Sequence, residues 1–120
     1  MKNKNVYQTK TLIKTIIGTQ LMELRRSRGM TGLELANKLG ISQQQVSRYE
    51  RGISHIDTDM LFCILIQLNV SLFEFFSSVF EELKEKDPAF YLKHDFIHSS
   101  LDISSLHQYS LFSSKEEIFY

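Results

Sequence analysis

Apolar residues recur along residues 15–86 with the three- and four-residue spacing that is typical of amphipathic helices. Short polar stretches interrupt this pattern, so the sequence predicts five helices joined by brief connections. Three of the helices are preceded by Ser or Thr with Glu or Gln three positions later, which is the N-terminal signature known as a capping box. The predicted helices span residues 15–28, 31–39, 42–51, 57–69 and 71–86.

The ends of the predicted helices are marked by glycine and proline. Gly29 and Gly40 stand where a left-handed C-terminal cap is expected, and Pro88 stops the fifth helix. Residues 1–14 are predicted to be a loose N-terminal arm. Residues 87–120, rich in serine and aromatic residues, are predicted to be a partly irregular C-terminal extension that forms one short helix or an irregular strap. The predicted fold class is therefore all-α, with a single domain over residues 15–86.

The net charge of zero hides a strong asymmetry along the chain. Residues 1–55 carry ten Lys or Arg against three Asp or Glu, a net charge of +7, whereas residues 56–120 carry four against eleven, a net charge of −7. A basic half is the electrostatic signature expected of a phosphate-binding face. The acidic half is expected to point away from DNA or to contact another protein.

Residues 31–52, TGLELANKLGISQQQVSRYERG, contain two short helices joined through Gly40, the elements of a helix-turn-helix. Ala36 is small where a crossing helix needs room. On the second of these helices, Val46 and Glu50 face inward at 100° per residue, whereas Arg51 faces outward. The shared core is predicted to contain Leu35, Leu39, Ile41, Val46 and Tyr49.

The outward face of that second helix carries residues suited to reading DNA bases. A glutamine amide presents a donor and an acceptor that match adenine, and the arginine fork matches guanine in the major groove. Glutamine is also an ordinary helix former, so a solvated polar face is the alternative. The predicted base-reading residues are Gln43, Gln44, Ser47 and Arg48.

The stretches LRRSRGMT at 24–31, ELANKLGIS at 34–42 and YERG at 49–52 resemble the Cro and phage-repressor (XRE) family of helix-turn-helix regulators. The resemblance covers about residues 15–76. It implies a five-helix, lambda-repressor-like domain that binds double-stranded DNA with its third helix. The wording SQQQVSRYERG is also similar to the small regulators of enterobacterial fimbrial operons, which implies a repressor of fimbrial and flagellar genes.

The resemblance further implies an ion pair between Arg25 and Glu50 that positions the helices. Glu50 falls on the inward face and needs a buried partner; two separate surface charges are the alternative.

Phosphate contacts are expected from the backbone amides at Thr31 and Gly32, at the start of a helix. The family commonly has glutamine where this chain has Gly32, which leaves that contact open. Further phosphate contacts are predicted at Lys10, Lys14, Arg26, Arg51, Ser54 and His55.

The fourth predicted helix is apolar almost all round, which implies two buried sides, the second covered either by the C-terminal extension or by a second subunit. Its core side is expected to hold Leu61, Leu65 and Leu68; the extra apolar residues Phe62, Ile64 and Ile66 form the second side, and Cys63 is expected to be an inert core thiol. Because one recognition helix binds weakly, a homodimer through the fifth helix is expected. Its interface is assigned to Phe62, Ile66, Phe76 and Phe80, whereas Phe73 is expected in the core.

Other classes of function find little support in the sequence. There is no Gly-rich phosphate loop and no metal-spaced Cys/His cluster; His94, Asp95 and His98 form too incomplete a set. We therefore expect no enzyme activity, metal or cofactor, and no small-molecule ligand site is recognisable in the sequence. Residues 60–76 are too interrupted for a membrane span, and a single cysteine fits a reducing cytoplasm. The resemblance to bacterial DNA-binding regulators implies a cytoplasmic, nucleoid-associated protein. The alternative function is an antitoxin-like or interaction module whose acidic half binds a protein.

Overall fold

The computed structural model describes residues 6–94, which form six α-helices and no strand. The all-α fold class is confirmed over these residues. The chain divides into two compact units, Met1–Phe75 and Phe76–Tyr120, and the boundary falls within the fifth helix. The helices are α1 (Val6–Ser27), α2 (Gly32–Leu39), α3 (Gln43–Glu50), α4 (Thr58–Leu68), α5 (Leu72–Lys86) and α6 (Pro88–Lys93).

The first helix begins well before the position that the sequence predicts. The expectation of a loose arm is wrong for residues 6–14, which are helical, while residues 1–5 lie outside the described residues. The hydroxyls of Thr11 and Thr15 each donate to the carbonyl four residues earlier at 2.9 Å, which keeps these polar side chains compatible with a helix. Half-buried apolar residues of α1 also occur in this region, at Leu12 and Ile13.

Hydroxyl caps set the starts of α2, α3 and α5. Thr31, Ser42 and Ser71 each accept a hydrogen bond at 3.0 Å from the backbone amide three residues later. In α2 the Glu34 carboxylate accepts a bond from the Thr31 hydroxyl at 3.1 Å. Asp57 precedes α4 without a side-chain cap bond. Each of these four helices therefore starts one residue after the start that the sequence predicts.

Left-handed residues close the helices of the motif. Gly29 and Gly40 have φ of 66° and 69°, as their position after a predicted helix implies. The Gly40 amide donates to the Asn37 carbonyl, and the amide of Ile41 donates to Ala36 at 3.0 Å. These bonds satisfy carbonyls at the end of α2 and turn the chain towards α3.

The C-terminal extension contributes one short helix among the described residues. Asp87 ends α5 and begins α6, because its carboxylate accepts a hydrogen bond from the Phe90 amide at 3.2 Å. Pro88 stands at the first helical position, where its missing N–H costs nothing. Of the two alternatives for residues 87–120, the short helix is present at Pro88–Lys93. Residues 95–120 lie outside the described residues.

The core of the N-terminal unit is built around the two motif helices. α3 packs against α1 and α2, and α2 packs against α4. Leu35, Leu39, Val46 and Tyr49 line one small internal space of about 10 Å³ together with Leu21 and Ile64, as expected for a shared core, and Ile41 is half-buried. The buried apolar residues of this unit are Ile16, Leu21, Leu35, Ala36, Val46, Ile64, Leu65, Leu68 and Phe75.

Three predictions about α4 and α5 are wrong. Ile64 is buried in the core while Leu61 is only half-buried, and Cys63 is exposed rather than a core thiol. On α5, Phe75 is buried, whereas Phe73, predicted to be core, is 44% exposed. Eight of the eleven residues of α4 and four of the first five residues of α5 are apolar, so the spacing alone does not define which face turns inward there.

None of the helices in residues 6–94 is by itself long and apolar enough to cross a membrane. The pair α4 and α5 meets that criterion only in combination, across a break and a sharp bend.

Candidate nucleic-acid interface

The helix α3 separates a buried face from an exposed one. Val46 and Glu50 are 2% and 8% exposed, and they face the core. On the opposite side Gln44 and Arg48 are exposed, and Gln43 is exposed as the first residue of the helix. Ser47 is half-buried beside them, so three of the four predicted base-reading residues are exposed on α3 and the fourth is partly accessible.

The Arg48 side chain is partly oriented by the loop that follows α3. Its Nε donates to the Ser54 hydroxyl at 3.0 Å. This bond uses one of the five N–H donors of the guanidinium and leaves the others for a base or a phosphate. Ser54, which the sequence predicts to contact a phosphate, therefore also helps to position Arg48, a predicted base-reading residue.

A buried ion pair fixes the inner side of α3. Arg25 donates from Nε to one oxygen of Glu50 at 2.7 Å and from its terminal nitrogen to the other at 2.9 Å, the bidentate geometry of strong pairs. A third bond joins Arg25 to the Met30 carbonyl at 2.7 Å. The hydrogen bond that Arg25 donates to Glu50, helped by the negative charge of Glu50, outweighs desolvation and raises the pKa of the Arg25 guanidinium above its ordinary value. The predicted pair is thus present and buried.

A glycine that the sequence did not single out brings α1 against α3. A Cβ at Gly18 would collide with the Tyr49 carbonyl oxygen and would lie 2.8 Å from the Glu50 carbonyl oxygen. Only glycine permits this backbone contact. The contact involves the backbone of Glu50, the same residue whose side chain pairs with Arg25. Together these contacts hold the last turn of α3 on α1.

The N-terminal ends of α2 and α3 lie side by side. A Cβ at Gly32 would be 3.9 Å from Cγ of Gln43 and 4.0 Å from its Nε2. Because Thr31 accepts the amide of Glu34, earlier amides of the first turn remain for an anion. The predicted phosphate contact at Thr31 and Gly32 is therefore adjacent to one predicted base reader.

The predicted phosphate-binding side chains fall into separate groups. Lys10, Lys14 and His55 line one groove, although they are distant in sequence. Arg26 is exposed near the other end of α1, about 24 Å away from Lys10 at the usual helical rise. Arg51 is exposed beside α3, where its Nε donates to the Ser47 carbonyl at 3.4 Å. These cations cannot all contact one phosphate, but they can follow a longer stretch of backbone.

The residues assigned to a dimer interface differ in exposure. Phe62 and Ile66 lie four residues apart on α4 and are 46% and 69% exposed, whereas Phe76 and Phe80 on α5 are half-buried. Cys63 is exposed next to Phe62. An apolar helical strip of this kind is suited to contact with another protein surface.

Another contact missed at the sequence level ties α1 to α4. The Nε of Arg28 donates to the Leu68 carbonyl at 2.7 Å, which satisfies the C-terminal end of α4. Its partner is a backbone group forty residues away, so no side-chain pattern reveals it.

Within residues 6–94 no group of three His, Cys, Asp or Glu is arranged to hold a metal; Asp95 and His98 lie outside this range. His94 stacks on Phe90 with ring centroids 4.4 Å apart.

Comparisons with known proteins identify the class of this fold. Residues 21–75 match the model of the family HTH_3, described as helix-turn-helix, over just under half of the chain. The match contains α2, α3 and α4 with the last residues of α1, so this segment is similar to helix-turn-helix domains.

Two further proteins are similar to parts of this chain. Antitoxin PezA of Streptococcus pneumoniae is 39% identical over 56 residues, which are 47% of this chain and 35% of that protein. The chain thus spans about a third of the length of that curated relative. The structure of the clp gene regulator ClgR from Corynebacterium glutamicum is similar with a TM-score of 0.60, covering 75% of this chain and 96% of that chain. At 20% identity, this likeness concerns the fold.

Proposed function

We propose that this protein is a sequence-specific transcriptional regulator that binds double-stranded DNA, with α3 as its recognition helix. The observation that carries the proposal is the exposed face of Gln44 and Arg48, opposite a buried ion pair, with Gln43 exposed at the start of the same helix. A helix anchored in this way presents its side chains at a fixed angle. The helix-turn-helix match over residues 21–75 supports the same function.

The chemistry of this face favours base reading over a solvated surface. Two amides at the N-terminal end and one guanidinium a turn later supply the donor and acceptor pairs that distinguish adenine and guanine in the major groove. The amides of α2 near Gly32 lie beside Gln43. This proximity supports a phosphate contact next to the base that Gln43 would read. We expect this function to be exercised in the bacterial cytoplasm, on the nucleoid.

A binding assay with two variants tests the base-reading face. The operator is first obtained by selection from a random duplex library, and affinity for it is then compared with affinity for scrambled DNA. Gln44→Ala and Arg48→Ala should each lose about 1–3 kcal/mol of discrimination. Gln45→Ala is a matched control, since Gln45 is half-buried in the same turn, and should retain selectivity. Unchanged selectivity in both test variants would refute the assignment.

We further propose that the protein acts as a repressor and that fimbrial and flagellar genes are among its targets. The support is the resemblance of SQQQVSRYERG, residues 42–52, to regulators of fimbrial operons. Genome-wide mapping of bound sites, with transcript levels in a deletion strain, tests both parts. Binding upstream of such genes and higher transcript levels after deletion are expected. Sites confined to other genes would contradict the target assignment.

A homodimer fits this function because two half-sites supply the affinity that one short helix lacks. The exposed pair Phe62 and Ile66 is the surface that we assign to the dimer contact within the N-terminal unit.

An antitoxin-like protein is the second candidate, and one observation favours it. The chain is 39% identical over 56 residues to an antitoxin, and residues 56–120 carry eleven of its fourteen acidic residues. In this case the acidic half would bind a protein partner. Co-expression with the product of the adjacent gene decides between the candidates. A stable complex that neutralises a toxic product would favour the antitoxin, and fimbrial subunit genes as neighbours would favour the regulator.

A further inference from the structure

A groove of about 220 Å³ lies beside the N-terminal half of α1 and the loop that leads into α4. Its floor consists of four half-buried aliphatic side chains, and the residues that line it include no Asp or Glu. The rim carries basic groups. The floor is formed by Ile13, Ile17, Ile56 and Leu61, and the rim by Lys10, Lys14 and His55.

The two kinds of residue are arranged in parallel rows. Lys10 and Lys14 are four residues apart on α1, and so are Ile13 and Ile17, so each pair occupies one line along the helix. The ammonium groups therefore lie beside a hydrocarbon strip. His55 adds an imidazole N–H donor, which is present in either protonation state.

We propose that this groove binds a small aliphatic carboxylate of the fatty-acid class. A DNA phosphate would satisfy the cations of the rim but would leave the aliphatic floor in water. An uncharged hydrocarbon would cover the floor but would leave the cations unused. A carboxylate on a short alkyl chain complements both. The volume lies below the roughly 300–1,000 Å³ of pockets for drug-sized ligands, which restricts the occupant to a small molecule.

The groove also has a consequence for DNA binding, which rests on the function proposed above. Lys10, Lys14 and His55 are predicted phosphate contacts, so a bound carboxylate would occupy cations that DNA needs. The ligand should therefore weaken DNA binding, and DNA should weaken ligand binding by the same factor.

Titration of the full chain with octanoate tests the site without DNA. Calorimetry should show saturable binding of one octanoate per chain, with NMR shifts at the methyl groups of Ile13 and Ile17. Lys14→Gln should bind octanoate roughly tenfold more weakly, through loss of one charge-assisted hydrogen bond. Lys38→Gln removes an exposed lysine outside the groove and should bind as the wild type does.

Two further probes separate this site from nonspecific adsorption. 1-Octanol has the same chain without the charge and should bind far more weakly. Ile13→Phe fills the groove and should abolish binding; if that variant does not fold, Lys14→Gln and the octanol comparison remain decisive. Equal binding of octanol, equal octanoate affinity in Lys14→Gln, or methyl shifts confined to Ile66 would overturn the proposal.

A competition assay addresses the coupling alone. Octanoate should lower the DNA affinity of the wild type and leave that of Ile13→Phe unchanged. Saturable octanoate binding in a protein that binds no DNA would refute the proposed function while it upholds the groove. Octanoate binding with unaltered DNA affinity would overturn only the coupling.

Discussion

At the scale of single residues, Gly18 controls how closely α1 approaches α3. The carbonyl oxygens of Tyr49 and Glu50 occupy the space that a Cβ would need, and backbone oxygens cannot move aside as a flexible side chain can. For Gly18→Ala the overpacking cost of about 1–3 kcal/mol should exceed the roughly 1 kcal/mol that alanine gains in a helix. We therefore expect a lower free energy of unfolding, measured by urea denaturation.

Gly32 supplies the matched control for this substitution. It too is helical, but the nearest atoms to an added Cβ belong to the Gln43 side chain at 3.9 and 4.0 Å, an ordinary contact distance. Gly32→Ala should leave stability unchanged or raise it by about 0.4–1 kcal/mol. Equal effects at Gly18 and Gly32 would show that helix propensity, and not the close approach, governs position 18.

The Arg25–Glu50 pair gives a second prediction at the residue scale. The two side chains are 11% and 8% exposed, so Glu50→Ala would leave a guanidinium buried without its anion. We expect a loss of about 3–5 kcal/mol in thermal or urea unfolding. Glu23→Ala, at an exposed site on α1, should stay within about 0.5 kcal/mol of the wild type.

A double substitution separates charge burial from loss of packing at this pair. Arg25→Met combined with Glu50→Leu removes both charges and keeps apolar volume, so it should recover much of the stability lost in Glu50→Ala. A double variant as unstable as Glu50→Ala would contradict the view that the uncompensated charge causes the loss.

At the scale of elements, the caps decide where the helices begin. Ser42 accepts the Gln45 amide at 3.0 Å, so Ser42→Ala should destabilise the protein by about 1 kcal/mol. Asp57 stands at the corresponding position of α4 without a side-chain cap bond, and Asp57→Ala should have a smaller effect. Melting temperatures of the two variants provide the comparison. A larger loss for Asp57→Ala would contradict the capping argument.

Local signals in the sequence predict most of these elements. The hydroxyl caps place α2, α3 and α5 to within one residue at their starts, because a hydroxyl bonds only to nearby amides. Asp57 places the start of α4 equally closely, although its side chain makes no cap bond. Asn5 precedes Val6 with Gln8 three positions later, but threonines with low helix propensity obscure the first turns of α1. The prediction of which residues of α4 and α5 are buried fails for a different reason, since burial of Ile64 and Phe75 depends on partners from other helices.

The features of the candidate site likewise divide into those that the sequence predicts and those that it does not. The exposed face of α3 follows from helical periodicity alone, so Gln44 and Arg48 lie where the sequence predicts. Contacts between distant segments do not follow from it: Gly18 meets α3, and Arg28 meets the end of α4. The groove that joins Lys10 to His55 is likewise a product of tertiary packing. Resemblance to a family, not periodicity, anticipated the Arg25–Glu50 pair.

At the scale of the whole molecule, the spread of basic residues and the proposed dimer together determine how much DNA backbone is contacted. The basic residues of one chain cannot all reach one phosphate, because Lys10 and Arg26 are separated by most of α1. A dimer would extend the contacted backbone and double the number of released counterions. Its DNA affinity should then fall with salt at a slope of about 0.9 per phosphate contact.

The dimer itself is tested at Phe62 and Ile66. Both are exposed on one strip of α4, and a buried carboxylate there would lack a partner, so Ile66→Asp should shift the protein towards the monomer. Ile53→Asp is the matched control, because Ile53 is 50% exposed in a loop outside that strip. Light scattering coupled to gel filtration measures the mass of each variant. The assignment predicts a dimeric wild type, a monomeric Ile66→Asp protein with an unchanged helical spectrum, and a dimeric Ile53→Asp protein; dimers in all three would exclude this face, and a monomeric wild type would exclude the dimer.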